Sequence, residues 1–264
     1  MHGSDAKSPP TWIIFTDLDG TLLDDVYDIE NACLTLDEVT GWGNVCIPVT
    51  SKSYLEVVAI NRLRARPAPI IFENGAGIAW PHQSGPEILG KSAAVIREVL
   101  KALRSQQGFE FRGFADMTVA ELRGRTGLDK QSAADALRRS ASEPLVWQDS
   151  EAAFTRFTQA LDQDGLKVVL GGRFFCVMDA QCDKATACKY LVSKYSSDSY
   201  RPKVLACGDA PNDIDMLASG DVALVFPQRE GGWLEVPAGP RIHRVSTPGH
   251  LAWLSSVKHA VLAK

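Results

Sequence analysis

The sequence predicts an α/β protein in which a parallel sheet is interrupted by an inserted α+β unit. Three observations carry this. Short apolar runs alternate with helical patterns over the first part of the chain, an order that gives parallel strands joined by crossover helices. From Gln83 the order changes to helices beside closely spaced strands, the pattern of an antiparallel sheet. At Asp183-Lys184 the first pattern resumes. The expected result is a Rossmann-like core of residues 11–83 and 183–264 with an inserted unit at 84–182. Residues 1–10, a Gly/Ser/Pro/Lys segment, read as a disordered lead-in.

Trp12-Ile13-Ile14-Phe15 is an apolar run of the kind that forms a buried strand, and it stops at Asp17, Asp19 and Gly20. In an extended chain residues i and i+2 share a side, so Asp17 and Asp19 face one cavity while Leu18 turns into packing. Gly20 permits a sharp exit, and Thr21 sets a hydroxyl at the rim. Ile29, Cys33, Leu36 and Val39 recur at helical spacing until Gly41-Trp42-Gly43-Asn44 breaks the pattern. Val45 to Val49 reads as a second buried strand, ending at Thr50-Ser51-Lys52-Ser53. A helix over Tyr54 to Arg64 and a third strand, Pro69 to Phe72, lead to Glu73-Asn74-Gly75-Ala76; this strand is expected to join the first two in parallel.

In the inserted unit, Ile88 to Leu103 is a long amphipathic segment and Phe109 to Arg112 an edge strand with charged outward positions. Two short helices follow, with Asp116 and Asp129 placed as their N-caps. Glu143 to Trp147 reads as strand, Ser150 to Leu161 as helix, and Leu166 to Leu170 and Phe174 to Met178 as two strands around Gly171-Gly172-Arg173. After Lys184 come a helix over Ala185 to Lys194 and a strand over Lys203 to Cys207, which ends at Gly208-Asp209-Ala210-Pro211-Asn212-Asp213. A helix over Ile214 to Ala218, a strand over Asp221 to Phe226 and an edge-like Arg241 to Val245 follow. The last helix, Leu251 to Leu262, is expected to bury Leu251, Leu254, Val257 and Val261.

Composition narrows the function. With 264 residues, 45% of them hydrophobic, the chain can bury a large core. A net charge of −4 gives no electrostatic footprint for nucleic acid or an anionic membrane, so the expected partner is a small molecule. No apolar run approaches the ~20 residues that span a bilayer, and the start has no signal-peptide core. Six cysteines without a C-x-x-C pair read as reduced thiols of a cytoplasmic protein rather than a zinc site, and the scattered histidines support neither a Ser-His-Asp triad nor a His-based metal site.

Two carboxylates as close as Asp17 and Asp19 repel unless a cation or a shared proton relieves the charge. That predicts a hard divalent metal, most simply Mg²⁺, although a solvated Asp-x-Asp-Gly turn is also open on these residues alone. The wider pattern adds weight: strands ending at Asp17 and Asp19, at Thr50, Ser51 and Lys52, and at Asp209, Asn212 and Asp213 can meet at one edge of an open parallel sheet, where ligands bind. Lys184 would bring a positive charge there.

Four segments in order, Asp17-Leu18-Asp19-Gly20-Thr21, Thr50-Ser51, Lys184 and Gly208 to Asp213, resemble the haloacid dehalogenase superfamily, in its branch of Mg²⁺-dependent phosphatases with a large α/β cap inserted between the second and third motifs. Within that branch Thr50 to Ser53, Phe72 to Ala76, Ser142-Glu143-Pro144, Leu170 to Phe174 and Ala210 to Asp213 resemble the mannosyl-3-phosphoglycerate phosphatase family. The resemblance implies that Asp17 is the nucleophile and Asp19 the acid/base, that Thr50, Ser51 and Lys184 bind phosphate, and that Mg²⁺ is held by Asp17, Asp19 through its carbonyl, Asp209 and Asp213. It further implies that Lys52, Asn74, Ser142, Glu143 and Arg173 bind a phosphorylated sugar acid, in a monomer or homodimer. Other residue readings stay open: Asp213 as a helix cap, Thr50 as a strand end, Asn74 and Gly75 as a turn, Ser142 and Glu143 as the start of a strand, Arg173 at a hairpin. So do a broader sugar-phosphate phosphatase, a phosphomutase and a non-catalytic phosphate-binding module. The chain departs from the family pattern at Ala185, where a glycine is usual, and at Cys176, where a histidine is expected.

Overall fold

The computed structural model describes residues 10–170 and 174–262; the expected lead-in before Pro10 and the residues Gly171, Gly172 and Arg173 lie outside the described residues. The chain opens with β1 (Trp12–Thr16), α1 (Ile29–Gly41), β2 (Val45–Pro48) and α2 (Tyr54–Leu63). β3 (Ile70–Phe72), β4 (Gly77–Ala79) and β5 (Glu87–Ile88) then form a small antiparallel sheet of their own. The expected third strand does run parallel to β2 where they meet, at the bridge Val49↔Ile71, but it leaves the main sheet and pairs along its length with β4 instead. The reason lies just after it, where Glu73 (φ 49°), Asn74 (φ 58°) and Gly75 (φ 95°) are successively left-handed and reverse the chain into β4.

The inserted unit carries α3 (Ala93–Gln107), β6 (Phe111–Gly113), α4 (Val119–Thr126), α5 (Lys130–Ala136), β7 (Ser142–Trp147), α6 (Glu151–Gln163), β8 (Leu166–Leu170) and β9 (Phe175–Asp179). Its strands form an antiparallel sheet in the order β6-β7-β9-β8, with α3 and α6 packed on one face through Ile96, Leu100, Phe157 and Leu145. α3 starts later than expected, capped by Ser92, because Glu87 and Ile88 are spent on β5. Asp129 caps α5 as expected, but Thr118 rather than Asp116 caps α4. Asp116 instead accepts the Gly113 N–H and pairs with Arg104.

The chain closes with α7 (Lys184–Tyr195), β10 (Lys203–Gly208), α8 (Ile214–Ala218), β11 (Val222–Val225), β12 (Arg241–Arg244) and α9 (His250–Leu262). The main sheet runs β12-β11-β10-β1-β2, and every pair in it is parallel. β1 is buried throughout because both faces are covered: Trp12 and Ile14 pack with Leu36 and Trp253, while Ile13 and Phe15 pack with Leu191 and Met216. α9 buries Val257 as expected and packs Leu254 and Val261 against the core, but its deepest residues are Trp253 and Ala260, and Leu251 is exposed. Trp253 sets this rotation by donating its indole N–H to Thr16 at the end of β1.

Candidate active site

The parallel register Thr16↔Cys207 carries β1 and β10 to the same edge, so Asp17 and Asp209 emerge side by side, and the Asp17 N–H donates to the Cys207 carbonyl. Gly20 (φ 87°) lets the chain turn over Asp209: a Cβ there would lie 2.5 Å from Asp209 Oδ2. Thr21 then donates its hydroxyl to Asp209 Oδ1 at 2.8 Å. Asp213, in the turn before α8, is fully buried. Its side chain does not cap α8; it accepts the N–H groups of Asp209 and Ala210 and so folds its own loop. Lys184, the first residue of α7, bridges Asp17 Oδ1 and Asp213 Oδ1, each at 2.6 Å.

Three carboxylates therefore converge on one ammonium, with oxygens of Asp17, Asp209 and Asp213 all within 4.8 Å of one another. The charge imbalance shows in the acids. Burial pushes Asp17 well above the usual carboxylate range; Lys184 works against the rise, and Asp213, Asp209 and Asp19 add to it. Burial, followed by repulsion from Asp213, pushes Asp209 up to about 6. Burial opposes the charge on Lys184, but Asp17 and Asp213 outweigh it and hold the ammonium protonated. An all-carboxylate donor set short of positive charge fits a hard divalent cation, and its oxygen chemistry fits Mg²⁺ rather than a sulfur- or nitrogen-seeking metal.

Asp19 stands outside this cluster. Its carboxylate is 46% exposed and is held at 2.8 Å by Lys52, whose ammonium also lies 5.0 Å from the centre of the Tyr27 ring. Burial disfavours the charge on Lys52, and Asp19 and Tyr27 more than restore it. Thr50 is fully buried beside the cluster, since the Val49 N–H donates to Thr16 at the end of β1. Its hydroxyl oxygen accepts the Lys52 N–H at 3.2 Å, which leaves its own proton to donate elsewhere. Ser51 is exposed at the rim. The Asn74 N–H donates to the Thr50 carbonyl, and Asn74 Oδ1 accepts from Asn212 at 3.1 Å. Asn74 Nδ2 is buried without a partner among the described residues, an open donor next to the acidic loop.

The remaining expected residues fare differently. Ser142 is buried and donates to Glu73 at 2.6 Å. Glu143 is not brought to the acidic cluster: it shares a side of β7 with Leu145, faces α3, and accepts from Arg97 (2.7 Å) and the Ala115 N–H (2.7 Å). Arg173 lies outside the described residues. Two residues at the junction were not expected. Glu73, fully buried, accepts from Ser140 N, Ala141 N and Ser142, and Arg139 lies against it at 3.6 Å. The carboxylate directly after an apolar strand was a signal for Glu73; Arg139, in a polar run at a helix end, gave none.

A model of the haloacid dehalogenase-like hydrolase family matches residues 14–224. Among solved structures, a phosphatase of the haloalkanoate superfamily from Bacteroides thetaiotaomicron aligns with TM-score 0.66 at 18% identity, over 98% of this chain and 97% of that one. A Thermoplasma acidophilum protein aligns with TM-score 0.65 at 15% identity, over 95% and 98%. A Synechocystis sucrose-phosphatase, solved with sucrose and phosphate, aligns with TM-score 0.62 at 17% identity, over 97% and 100%. At these identities the likeness is one of fold.

Proposed function

The chain belongs to the haloacid dehalogenase-like hydrolase family, and from that premise we propose that it is a Mg²⁺-dependent phosphomonoesterase acting on a phosphorylated sugar acid, with mannosyl-3-phosphoglycerate the first candidate and its glucosyl analogue the second. The observation that carries the reading is Lys184 spanning Asp17 and Asp213 with Asp209 alongside, which supports assigning Asp17 as nucleophile, Lys184 as phosphate-binding cation and the acids as metal ligands. We assign residues 11–83 and 183–264 to the catalytic core and 84–182 to the cap.

Lys184 fixes Asp17 Oδ1, and the second oxygen is the one assigned to attack. It forms a bond to phosphorus as the bond from phosphorus to the sugar-acid oxygen breaks, giving a phosphoaspartate. Asp19 donates a proton to the departing oxygen, then removes one from a water that attacks the same phosphorus and releases Asp17 with inorganic phosphate. Thr50, with its hydroxyl proton free, the Ser51 N–H and Lys184 supply preorganised donors to the transferring oxygens. Asp17, Asp209, Asp213 and the Asp19 carbonyl would hold Mg²⁺, which offsets phosphoryl charge when bound.

On the leaving-group side, Lys52 and the open Asn74 amide are the polar groups next to the acids, and the guanidinium of Arg173 has the chemistry to grip the glycerate carboxylate. Ser142 and Glu143 act as cap structure instead. Their engagement favours a second reading, a broader sugar-phosphate phosphatase. Phosphate release from a panel of mannosyl- and glucosyl-3-phosphoglycerate, hexose phosphates, sucrose phosphate and nucleotides, with Mg²⁺ or EDTA, separates the possibilities. Preference for the glycerate esters that is lost in Arg173→Ala supports the first. Phosphorylated isomer without free phosphate identifies a mutase, and no turnover a binding module.

A further inference from the structure

Arg139 sits where the cap segment 135–142 meets the phosphate loop, and its side chain is only 4% exposed. Its Nη2 donates to the Ser51 carbonyl at 3.0 Å and to the Ser142 hydroxyl at 2.8 Å, and its Nε donates to the same hydroxyl at 3.2 Å. The Ser142 hydroxyl in turn donates to Glu73, the residue next to Asn74. A planar guanidinium suits this double duty, because its donors diverge in a fixed fork.

The Ser51 carbonyl and the Lys52 N–H belong to one peptide plane. Arg139 holds one end of that plane, and the Thr50 hydroxyl oxygen holds the other at 3.2 Å. The orientation of the plane therefore decides both where the Thr50 proton points and where Lys52 starts toward Asp19. A second contact from the same cap segment supports the loop: Ser53, the cap of α2, donates its hydroxyl to the Asp135 carbonyl at 2.9 Å.

We propose that Arg139 is a positioning residue that brings the Thr50–Lys52 loop into its phosphate-binding arrangement when the cap segment 135–142 is seated on the core, an inference that rests on the phosphatase reading above. It is paired with none of Asp17, Asp209 and Asp213, and it meets the phosphate loop at the Ser51 carbonyl, so it acts through the Ser51–Lys52 peptide.

The test compares wild type with Arg139→Lys, which keeps the charge beside Glu73 but loses the fork. Turnover and KM are measured with p-nitrophenyl phosphate and Mg²⁺, and amide hydrogen exchange is followed at Lys52. A displaced loop should lower kcat by roughly 10- to 100-fold, the scale of misplaced catalytic groups, with little change in KM, near-native melting and faster exchange at Lys52. Arg139→Ala with added guanidinium ion forms the second arm, where recovery of kcat supports positioning even if the lysine variant folds poorly. Wild-type kcat in a folded Arg139→Lys protein, or a loss of kcat with Lys52 exchange unchanged, overturns the inference. A wild-type protein that releases no phosphate overturns the phosphatase reading instead, and the exchange comparison still decides whether Arg139 orders the loop.

Discussion

At the scale of single residues, the acidic cluster is an electrostatic liability, with burial and mutual repulsion raising Asp17 and Asp209. Three buried carboxylates, Asp17, Asp209 and Asp213, face one ammonium, Lys184. Asp17→Asn removes one repelling charge and leaves the Lys184–Asp213 pair intact, so in EDTA the variant should melt no lower than wild type while kcat falls by about 10⁴-fold or more, as for other lost nucleophiles. A lower melting temperature would count against charge repulsion at Asp17, and turnover that persists would count against Asp17 as the nucleophile. Lys184→Met does the opposite, leaving three acids with no counter-charge, and should cost about 3–5 kcal/mol in denaturant unfolding. This convergence was readable in the sequence because Asp17 and Asp209 stand directly after apolar strands, with Asp213 in the loop that follows Asp209, and strand ends in a parallel sheet share an edge. Ser142 and Glu143 are neighbours on one strand and face opposite sides, so alternation alone separates their surroundings: Ser142 meets Glu73 and Glu143 meets Arg97. Arg139 was out of reach, since a burial made by segments 88 residues apart leaves no local trace.

At the scale of elements, the turn from β3 into β4 aims the helix that carries Lys184. A Cβ on Gly75 would lie 2.1 Å from the Asp183 carbonyl oxygen and 2.8 Å from Lys184 N, so the turn is packed against the first residues of α7. Gly75→Ala should destabilise the protein by about 1–3 kcal/mol through the backbone clash, beyond the cost of its left-handed φ, and should also lower turnover by shifting Lys184. Gly43 is the control: it is also left-handed, at φ 86°, but a Cβ there meets nothing within 4 Å, so Gly43→Ala carries the conformational cost alone. Urea unfolding and steady-state turnover on both variants check this, and equal losses at the two positions would remove the special role of the turn. The sequence showed that a strand ends at Phe72 but not that the next two residues, neither of them glycine, adopt positive φ. That choice is made by tertiary partners: the Glu73 carboxylate collects three hydrogen bonds from segment 140–142. The same logic explains α9, where spacing allowed several apolar faces and the Trp253 bond to Thr16 selected one.

At the scale of the whole molecule, the acidic cluster couples proton binding to stability, and the proposed Mg²⁺ would enter the same balance. Asp209 has its pKa raised from 3.8 to about 6, so between those values the folded protein holds a proton that the unfolded chain has released. With more protons bound in the folded state, stability falls as pH rises through that window, and the loss is complete above about 6. The raised Asp17 adds in the same direction. A divalent cation at this cluster binds the ionised acids and competes with the proton, so the stabilisation from Mg²⁺ should be small at pH ~5 and larger at pH ~7.5. Melting temperatures with Mg²⁺ and with EDTA across that range test it without reference to any substrate. The two curves should converge toward the acid side, and Asp209→Asn should flatten the difference. A Mg²⁺ effect that is independent of pH, or that survives in Asp209→Asn unchanged, would place the cation elsewhere and detach the acidic cluster from the metal.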